Sequence, residues 1–283
     1  MIQKQDIDSG FSFYNIDEKF KPKCYECAEE INKNQQYLNA FNKVYKLLNN
    51  NNFEEIKKIW NIKEIDELFC NNINHYVTNL MIIINYKNHK NNIKKYDLSD
   101  EQINIHKFRV KECFEKDLIN RKYDSIRISQ MLWAIYFIRI KLIEIGRLQY
   151  EYENTINGLS QIKIHIPSGN RLDIKLAIES INKSKSLLPK IFNIDNMEFL
   201  CNSWLLSNQL NELIDSNTNI YKFYQLFDVV DGDDCVDDIL NFVYSLKECK
   251  NYNMLPEITN IQKFIKYNLI NNKIFKLGMG KLK

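Results

Sequence analysis

The spacing of apolar residues changes once along this chain, and no other feature constrains its fold as strongly. Before residue 146 apolar side chains recur at helical spacing, as in "QQYLNAFNKVYKLL" (35–48). After it they alternate with polar side chains, as in "RLQYEYE" (147–153). A period of 3.6 residues is typical of helices, and a period of two is typical of half-buried strands. The sequence therefore predicts an α+β chain, with a helical part followed by a mixed sheet flanked by helices.

The helical part is predicted to run through residues 1–123. Helical spacing continues through "NFEEIKKIW" (52–60) and "IDELFCNNINHYVTNLMIIINY" (65–86). A capping box formed by Ser99 and Gln102 marks the start of the next helix. A further helix is predicted to begin at Asp124 or Ser125, where the second domain (124–283) is expected to start.

The second part predicts a hairpin, a helix and further strands. "NGLS" (157–160) is typical of a two-residue turn that joins "RLQYEYE" to the strand "QIKIHIP" (161–167). The remaining predicted strands are "MEFLCNSWLL" (197–206), "NIYKFYQLFDVV" (219–230) and "KIFKLG" (273–278), and the remaining predicted helices run from Arg171 to Pro189, through "SNQLNELI" (207–214), from Cys235 to Leu246 and from Ile258 to Ile270.

Composition and charge limit the cellular compartment and the classes of binding partner that we expect. The 283 residues include 39 basic and 36 acidic ones, and this net charge of +3 gives no reason to expect nucleic acid. The seven cysteines are scattered, the N-terminus does not resemble a signal peptide, and the apolar stretch Met131–Ile145 is short and contains charges. We therefore expect a cytoplasmic protein with free thiols that does not cross a membrane.

The loop "PSGNR" (167–171) lies between a predicted strand and a predicted helix. This order is typical of anion sites, because a helix start offers unpaired N–H groups and the positive end of a dipole. In that interpretation Ser168, Gly169, Asn170 and Arg171 cradle a phosphate. The alternative is an ordinary turn that needs the conformational freedom of Gly169.

Three other groups of polar residues favour structural roles. The pair in "CYEC" (24–27) lacks the further ligands that close a zinc site, so it fits one face of a helix and we expect no metal. Asp233 or Asp234 is expected to cap the following helix. His75, His89 and His106 are expected at surface or boundary positions.

Several blocks of the second part, in this order, resemble a bacterial family of acyltransferase-domain proteins. They are "GRLQYE" (146–151), "IHIPSGNRL" (164–172), a helix with Ser180 and Ser184, "CNSWLL" (201–206), "SNTNIYKFYQLFDVV" (216–230) and "TNIQKFIKYNLINNKIFKLGMGKL" (259–282). That family joins a helical N-terminal domain to a domain similar to the GCN5-related N-acetyltransferases (GNAT-like). Phosphate-binding GxxxxGK[ST] and dinucleotide-binding GxGxxG motifs are absent from the sequence.

The resemblance implies an acyl-CoA-dependent N-acyltransferase, with acyl-coenzyme A as co-substrate and a small-molecule or peptide amine as acceptor. It implies that Ser168, Gly169, Asn170 and Arg171 hold the pyrophosphate. Alternation permits Glu151 and His165 to face each other across the sheet and to act as the base. It also permits Ser203, on the next strand, to share that face. Cys201 on the same strand is a further candidate nucleophile. The loop has one glycine where the family of acetyltransferases has two, so a catalytically inert binding or assembly protein is the alternative.

Overall fold

A computed structural model describes residues 1–49, 63–69, 76–120, 128–167, 169–246 and 248–283. Contacts between residues divide the chain into two units, Met1–Glu144 and Ile145–Lys283. The first unit is helical, and a mixed sheet with helices follows, which confirms the predicted α+β class.

The helices of the first unit bury apolar faces in one core. The described helices are α1 (Lys4–Tyr14), α2 (Lys21–Lys33), α3 (Gln35–Asn49), α4 (Lys63–Phe69), α5 (Val77–Ile84), α6 (Tyr86–Lys95), α7 (Asp100–Asn120) and α8 (Ile128–Ile138). Helix α5 is apolar nearly all round and its residues 77–83 are all buried, as expected for a helix with neighbours on every side. None of the described helices combines the length and apolar character that crossing a bilayer requires.

Two predictions for the helical part concern residues that the structure does not describe, and a third is confirmed only in part. The segment 52–60 and the helix start at Asp124 or Ser125 lie outside the described residues. The capping box at Ser99 forms only in part. The Gln102 N–H donates to Ser99 Oγ (3.3 Å), but the Gln102 side chain donates to the Glu144 carbonyl (3.2 Å) instead of returning to the cap.

The sheet contains six strands in the order β1-β2-β3-β4-β6-β5. Its elements are β1 (Leu142–Ile145), β2 (Leu148–Ile156), β3 (Leu159–His165), α9 (Ile174–Phe192), β4 (Met197–Ser203), α10 (Asn208–Asn211), α11 (Asn219–Tyr224), β5 (Phe227–Asp234), α12 (Val236–Tyr244), α13 (Asn260–Ile270) and β6 (Lys276–Leu282). Strand β3 pairs with β2 in antiparallel and with β4 in parallel orientation. A parallel pair needs a long crossover, and helix α9 supplies it.

Helix α9 packs on one face of the hairpin β2–β3. Buried Tyr150 on β2 places its hydroxyl 2.8 Å from Ser180 Oγ on the helix. Ser180 also donates to the Ile145 carbonyl, and the Tyr152 ring stacks on Phe192 at the far end of the helix. These contacts hold the face of the sheet that carries Tyr150 against the crossover helix. The residues of the opposite face do not contribute to this packing.

The sequence analysis misassigned one segment of the sheet and missed one strand. The segment 219–230 is not one strand, because helix α11 forms first and β5 begins at Phe227. Thr218 initiates that helix by accepting a hydrogen bond from the Tyr221 N–H (3.2 Å). Strand β1 was not predicted as a strand, because all four of its residues are buried and show no alternation.

The two units meet later in the sequence than the predicted boundary at residue 123. Helix α8 belongs to the core of the first unit, where Met131, Ile135 and Phe137 are fully buried. Residues 121–127, around the predicted boundary, lie outside the described residues. The boundary at 123 therefore stays a prediction, whereas the units of the structure divide after Glu144.

Two histidines are buried in the helical core, contrary to the sequence expectation for His89 and His106. His89 Nδ1 lies 3.2 Å from the Tyr14 hydroxyl, and His106 Nδ1 lies 3.0 Å from the Phe137 carbonyl oxygen. The Nε2 atoms of both have no hydrogen-bond partner among the described residues. Burial lowers the pKa of His106 to about 4 and that of His89 well below its usual 6.5, with Lys107 adding repulsion at His89. His75 lies outside the described residues.

We expect the chain to lose stability between pH 6.5 and about 5, a range in which ordinary carboxylates stay ionised. The unfolded state takes up protons on both histidines there and the folded state does not, so the free energy of unfolding falls with pH by up to about 1.4 kcal/mol per pH unit for each histidine. Urea unfolding at several pH values measures the slope. His106→Phe should reduce this slope substantially, and an unchanged slope in the variant would contradict the assignment.

Candidate active site

A carboxylate and an imidazole meet on the face of the sheet opposite helix α9. Strand register sets Gln149 opposite His165 and Glu151 opposite Lys163, so Glu151 and His165 are diagonal neighbours on one face. His165 Nε2 lies 2.9 Å from Glu151 Oε2. The Glu151 side chain is 9% exposed and that of His165 is 28% exposed. A nearly buried carboxylate therefore orients an imidazole that reaches solvent, an arrangement suited to a general base.

Ser203 does not join this pair. In the parallel register Leu200 lies opposite Lys163, so the even-numbered residues of β4 share the face of Glu151 and His165, and Ser203 points to the other face. Its hydroxyl oxygen accepts a hydrogen bond from the Leu205 N–H (3.2 Å) and caps the short helix 204–206. The grouping of all three residues was wrong because strand alternation separates them.

Cys201 shares the face of Ser203 and lacks the character of a nucleophile. Its side chain is buried, and burial raises the pKa of the thiol to about 12. A thiol needs to ionise before it attacks a substrate, so the structure gives no support to this candidate.

The strands β3 and β4 stop pairing before either one ends. Their last paired residues are Lys163 and Leu200, but β3 continues to His165 and β4 continues to Ser203. On their outer sides β3 still pairs with β2 and β4 with β6. The two facing edges thus part next to the Glu151–His165 pair, and backbone groups on a strand edge are able to pair with another extended chain.

The loop after β3 is held by an arginine that the sequence analysis missed. The Arg147 guanidinium donates to the carbonyl oxygens of Pro167 (3.1 Å), Asn170 (2.6 Å) and Arg171 (3.2 Å). In a trans peptide the N–H points away from the preceding carbonyl, so the N–H groups of Arg171 and Leu172 point away from Arg147. An arginine at least 20 residues from its acceptors forms no recognisable motif. The alternation of residues 147–153 indicated only the strand that follows Arg147.

The structure describes three of the four residues that were predicted to bind phosphate. Gly169 has a φ of +114°, which favours glycine, and Gly169, Asn170 and Arg171 are all exposed. Ser168 lies outside the described residues. The exposed Arg171 side chain and the outward N–H groups are in a position to meet an anion from solvent.

The start of helix α9 is partly occupied by its own cap. Asp173 Oδ1 accepts hydrogen bonds from the N–H groups of Lys175 (2.8 Å) and Leu176 (3.2 Å). The helix begins at Ile174, later than the sequence suggested, because aspartate is a strong N-cap. An anion at this loop would thus meet the loop N–H groups and Arg171, and not the amides of the first helical turn.

The other polar motifs have structural roles. Cys24 and Cys27 are buried in helix α2, and burial raises the pKa of Cys27 to about 12. Asp234 accepts a hydrogen bond from the Val236 N–H (2.8 Å) at the start of helix α12, although Cys235 is the N-cap residue. Among the described residues no group of three or more His, Cys, Asp or Glu side chains is arranged to hold a metal ion.

Comparison with known proteins assigns the second part of the chain to a family. Residues 142–282 match the family model of the GNAT-like C-terminal domain. This part of the chain is a GNAT-like C-terminal domain. The match confirms the resemblance inferred from the blocks at 146–282, and the GNAT-like domain contains the hairpin, the loop and the Glu151–His165 pair.

Solved structures of acyltransferases resemble a large part of the chain. One is an acyltransferase in complex with decanoyl-CoA (TM-score 0.65, 18% identity), and another is an acyltransferase in complex with decanoyl-CoA and teicoplanin (TM-score 0.66, 19% identity). Each match covers 74% of this chain and 66% of the other chain. No curated protein matches. At this identity the likeness shows the fold alone.

We expect Arg147→Lys to loosen the loop, because an ammonium group cannot reproduce three donors held in a planar fork. The unfolding free energy, measured by urea melts, should fall by about 1–3 kcal/mol. The control is Arg171→Ala, whose exposed side chain should change stability by less than about 0.5 kcal/mol. Equal effects of the two changes on the unfolding free energy would argue against the role given to Arg147.

Proposed function

We propose that the chain is an acyl-CoA-dependent N-acyltransferase, which transfers an acyl group to an amine. The observation that carries the proposal is the Glu151–His165 pair beside the point where β3 and β4 part, within a GNAT-like domain. The similar solved acyltransferases are in complex with decanoyl-CoA or octanoyl-CoA, and one is also in complex with teicoplanin, which supports an acyl-CoA donor and a small-molecule acceptor.

The acyl-CoA would enter between the parted strands. Its pantetheine arm is an extended chain with two amides, and such a chain pairs with the exposed backbone groups of a strand edge. Its pyrophosphate would then reach the loop after β3, where the N–H groups of Arg171 and Leu172 point away from Arg147 and the residues Asn170 and Arg171 are exposed. Ser168 and Gly169 complete the proposed phosphate loop.

The pair would act as the base in transfer. Glu151 holds the His165 imidazole through Nε2, and the pair would take a proton from the acceptor ammonium, directly or through water. The free amine attacks the thioester carbonyl carbon, and a strand N–H near Ile166 would stabilise the oxyanion. The C–S bond then breaks, the amide forms, and the coenzyme A thiolate leaves and takes up a proton. Carboxylate support of an imidazole stabilises the imidazolium that forms during this step.

Activity of variants tests the pair. Release of the coenzyme A thiol from decanoyl-CoA, measured with a panel of amines, should require both residues, and Glu151→Gln and His165→Asn should each lower kcat about 10²–10⁴-fold. Ser203→Ala is the control from the other face of the sheet, and it should keep nearly full activity. Comparable losses of activity in all three variants would instead favour a site that includes Ser203.

Binding of coenzyme A tests the loop separately from the chemistry. Calorimetric titration should show that Arg171→Ala weakens binding by about 1.5–3 kcal/mol, the size of a hydrogen bond to a charged group. A saturating ligand at a hundredfold excess over its Kd should also stabilise the wild type by about 2.7 kcal/mol. Gly169→Val should weaken binding as well, because valine disfavours the positive φ of this position. If the wild type does not bind coenzyme A, a catalytically inert binding or assembly protein becomes the better explanation.

A further inference from the structure

A groove on the helical unit brings four lysines together with aromatic and aliphatic side chains. Its volume is about 400 Å³, the size of a site for a small molecule. Helices α1, α6 and α7 provide the walls, which are lined by Phe13, Tyr86, Lys87, Lys90, Asn91, Ile93, Lys94, Ile103 and Lys107. No aspartate or glutamate lines the groove among the residues that the structure describes.

The positive charge of the groove is largely unbalanced. Lys87 forms an ion pair with Asp6 at 2.6 Å. Lys90, Lys94 and Lys107 have no carboxylate within ion-pair distance in the described part of the chain. Such a concentration of like charge is unfavourable without a counter-charge, and a bound anion would supply one.

Aromatic rings hold two of these ammonium groups close together. Lys107 Nζ lies 4.3 Å from the centroid of the Phe13 ring, and Lys90 Nζ lies 5.2 Å from the same centroid and 5.2 Å from that of Tyr86. The two ammonium groups therefore lie within about one Debye length of each other, ~10 Å at 0.1 M salt, so an anion in the groove experiences the field of both. Cation–π contacts of this kind orient the lysine heads without neutralising them.

The remaining lining residues set the character of the ligand. Ile93, Ile103 and the Tyr86 ring offer apolar surface beside the charges, and the Asn91 amide offers a hydrogen bond. A dianion matches three unpaired ammonium groups better than a monoanion does, and an apolar or aromatic body matches the aliphatic wall. The volume of about 400 Å³ accommodates a small molecule.

We propose that this groove binds a small phosphate ester with an apolar or aromatic body. The proposal rests on the first unit alone and does not depend on the acyltransferase function. The site is built from side chains of three helices that pack on one core, so its geometry is held by the fold of the unit.

Titration of the full chain with phenyl phosphate tests the site, with inorganic phosphate, benzoate and benzyl alcohol as comparison ligands. Phenyl phosphate should bind roughly tenfold more tightly than either inorganic phosphate or benzoate, and benzyl alcohol should bind more weakly still. Lys90→Gln and Lys107→Gln should each weaken phenyl phosphate binding about tenfold, as expected when one charge-assisted hydrogen bond is lost.

Lys95→Gln is the matched control. Lys95 lies on the same helix α6 but outside the groove, over the Tyr96 ring (5.0 Å), so its loss should change the affinity less than twofold. Thermal melts of the three variants establish that each one folds. A Lys95→Gln variant that loses as much affinity as Lys90→Gln would overturn the proposal in favour of general surface charge.

Three other outcomes would also overturn it. They are no binding up to about 10 mM phenyl phosphate, equal affinity for inorganic phosphate and phenyl phosphate, and tighter binding of a random oligonucleotide with equal losses from all three variants. Repeating the titration with saturating coenzyme A separates this groove from the acyl-CoA site. Undiminished binding of phenyl phosphate supports a separate site, and displacement by coenzyme A that Arg171→Ala abolishes would refute it.

Discussion

One extra residue in strand β2 decides which face of the sheet each side chain of the hairpin occupies. The turn at Asn157–Gly158 pairs Ile156 with Leu159 and Asn154 with Gln161. The same count carried further would place Tyr150 opposite His165. Instead the register shifts between Tyr152 and Asn154, and Gln149 comes opposite His165. Because side chains alternate with a period of two, this single bulge moves all of β2 beyond it to the other face.

The bulge therefore ties the packing of the domain to its candidate chemistry. It places Tyr150 with Ile162 and Ile164 against helix α9, where Tyr150 meets Ser180, and it places Glu151 beside His165 on the opposite face. A hairpin without the bulge would set the Glu151 carboxylate on the apolar face and the Tyr150 ring on the polar one. Each error alone is costly, so a register that preserves the core also preserves the pair.

Much of this was predictable from residues that are close in sequence. Alternation in "RLQYEYE" and "QIKIHIP" gave the faces, and Asn157–Gly158 gave the turn, whose φ values of 51° and 78° confirm it. Without a bulge, the turn would place the polar residues of one strand on the same face as the apolar residues of the other. A bulge was therefore predictable from the two patterns. Long-range contacts were not. Nothing in the sequence connects Arg147 to the carbonyls of the loop, and helical spacing alone did not show that His89 and His106 face the centre of the unit.

The proposed phosphate loop after β3 contains a single glycine, and the contacts around the loop decide where an anion would be held. Asp173 satisfies the N–H groups at the start of helix α9 and adds a negative charge there, so the helix end contributes less to an incoming phosphate than an uncapped end would. Arg147 offsets this by holding loop carbonyls on its own side, so the N–H groups of Arg171 and Leu172 point away from it. The attraction for a phosphate then depends on the loop amides and on the exposed Arg171, not on the helix dipole. Binding that relies on an exposed cation is screened by salt, so coenzyme A affinity at this loop should fall more steeply with ionic strength than affinity at a site built on buried helix amides.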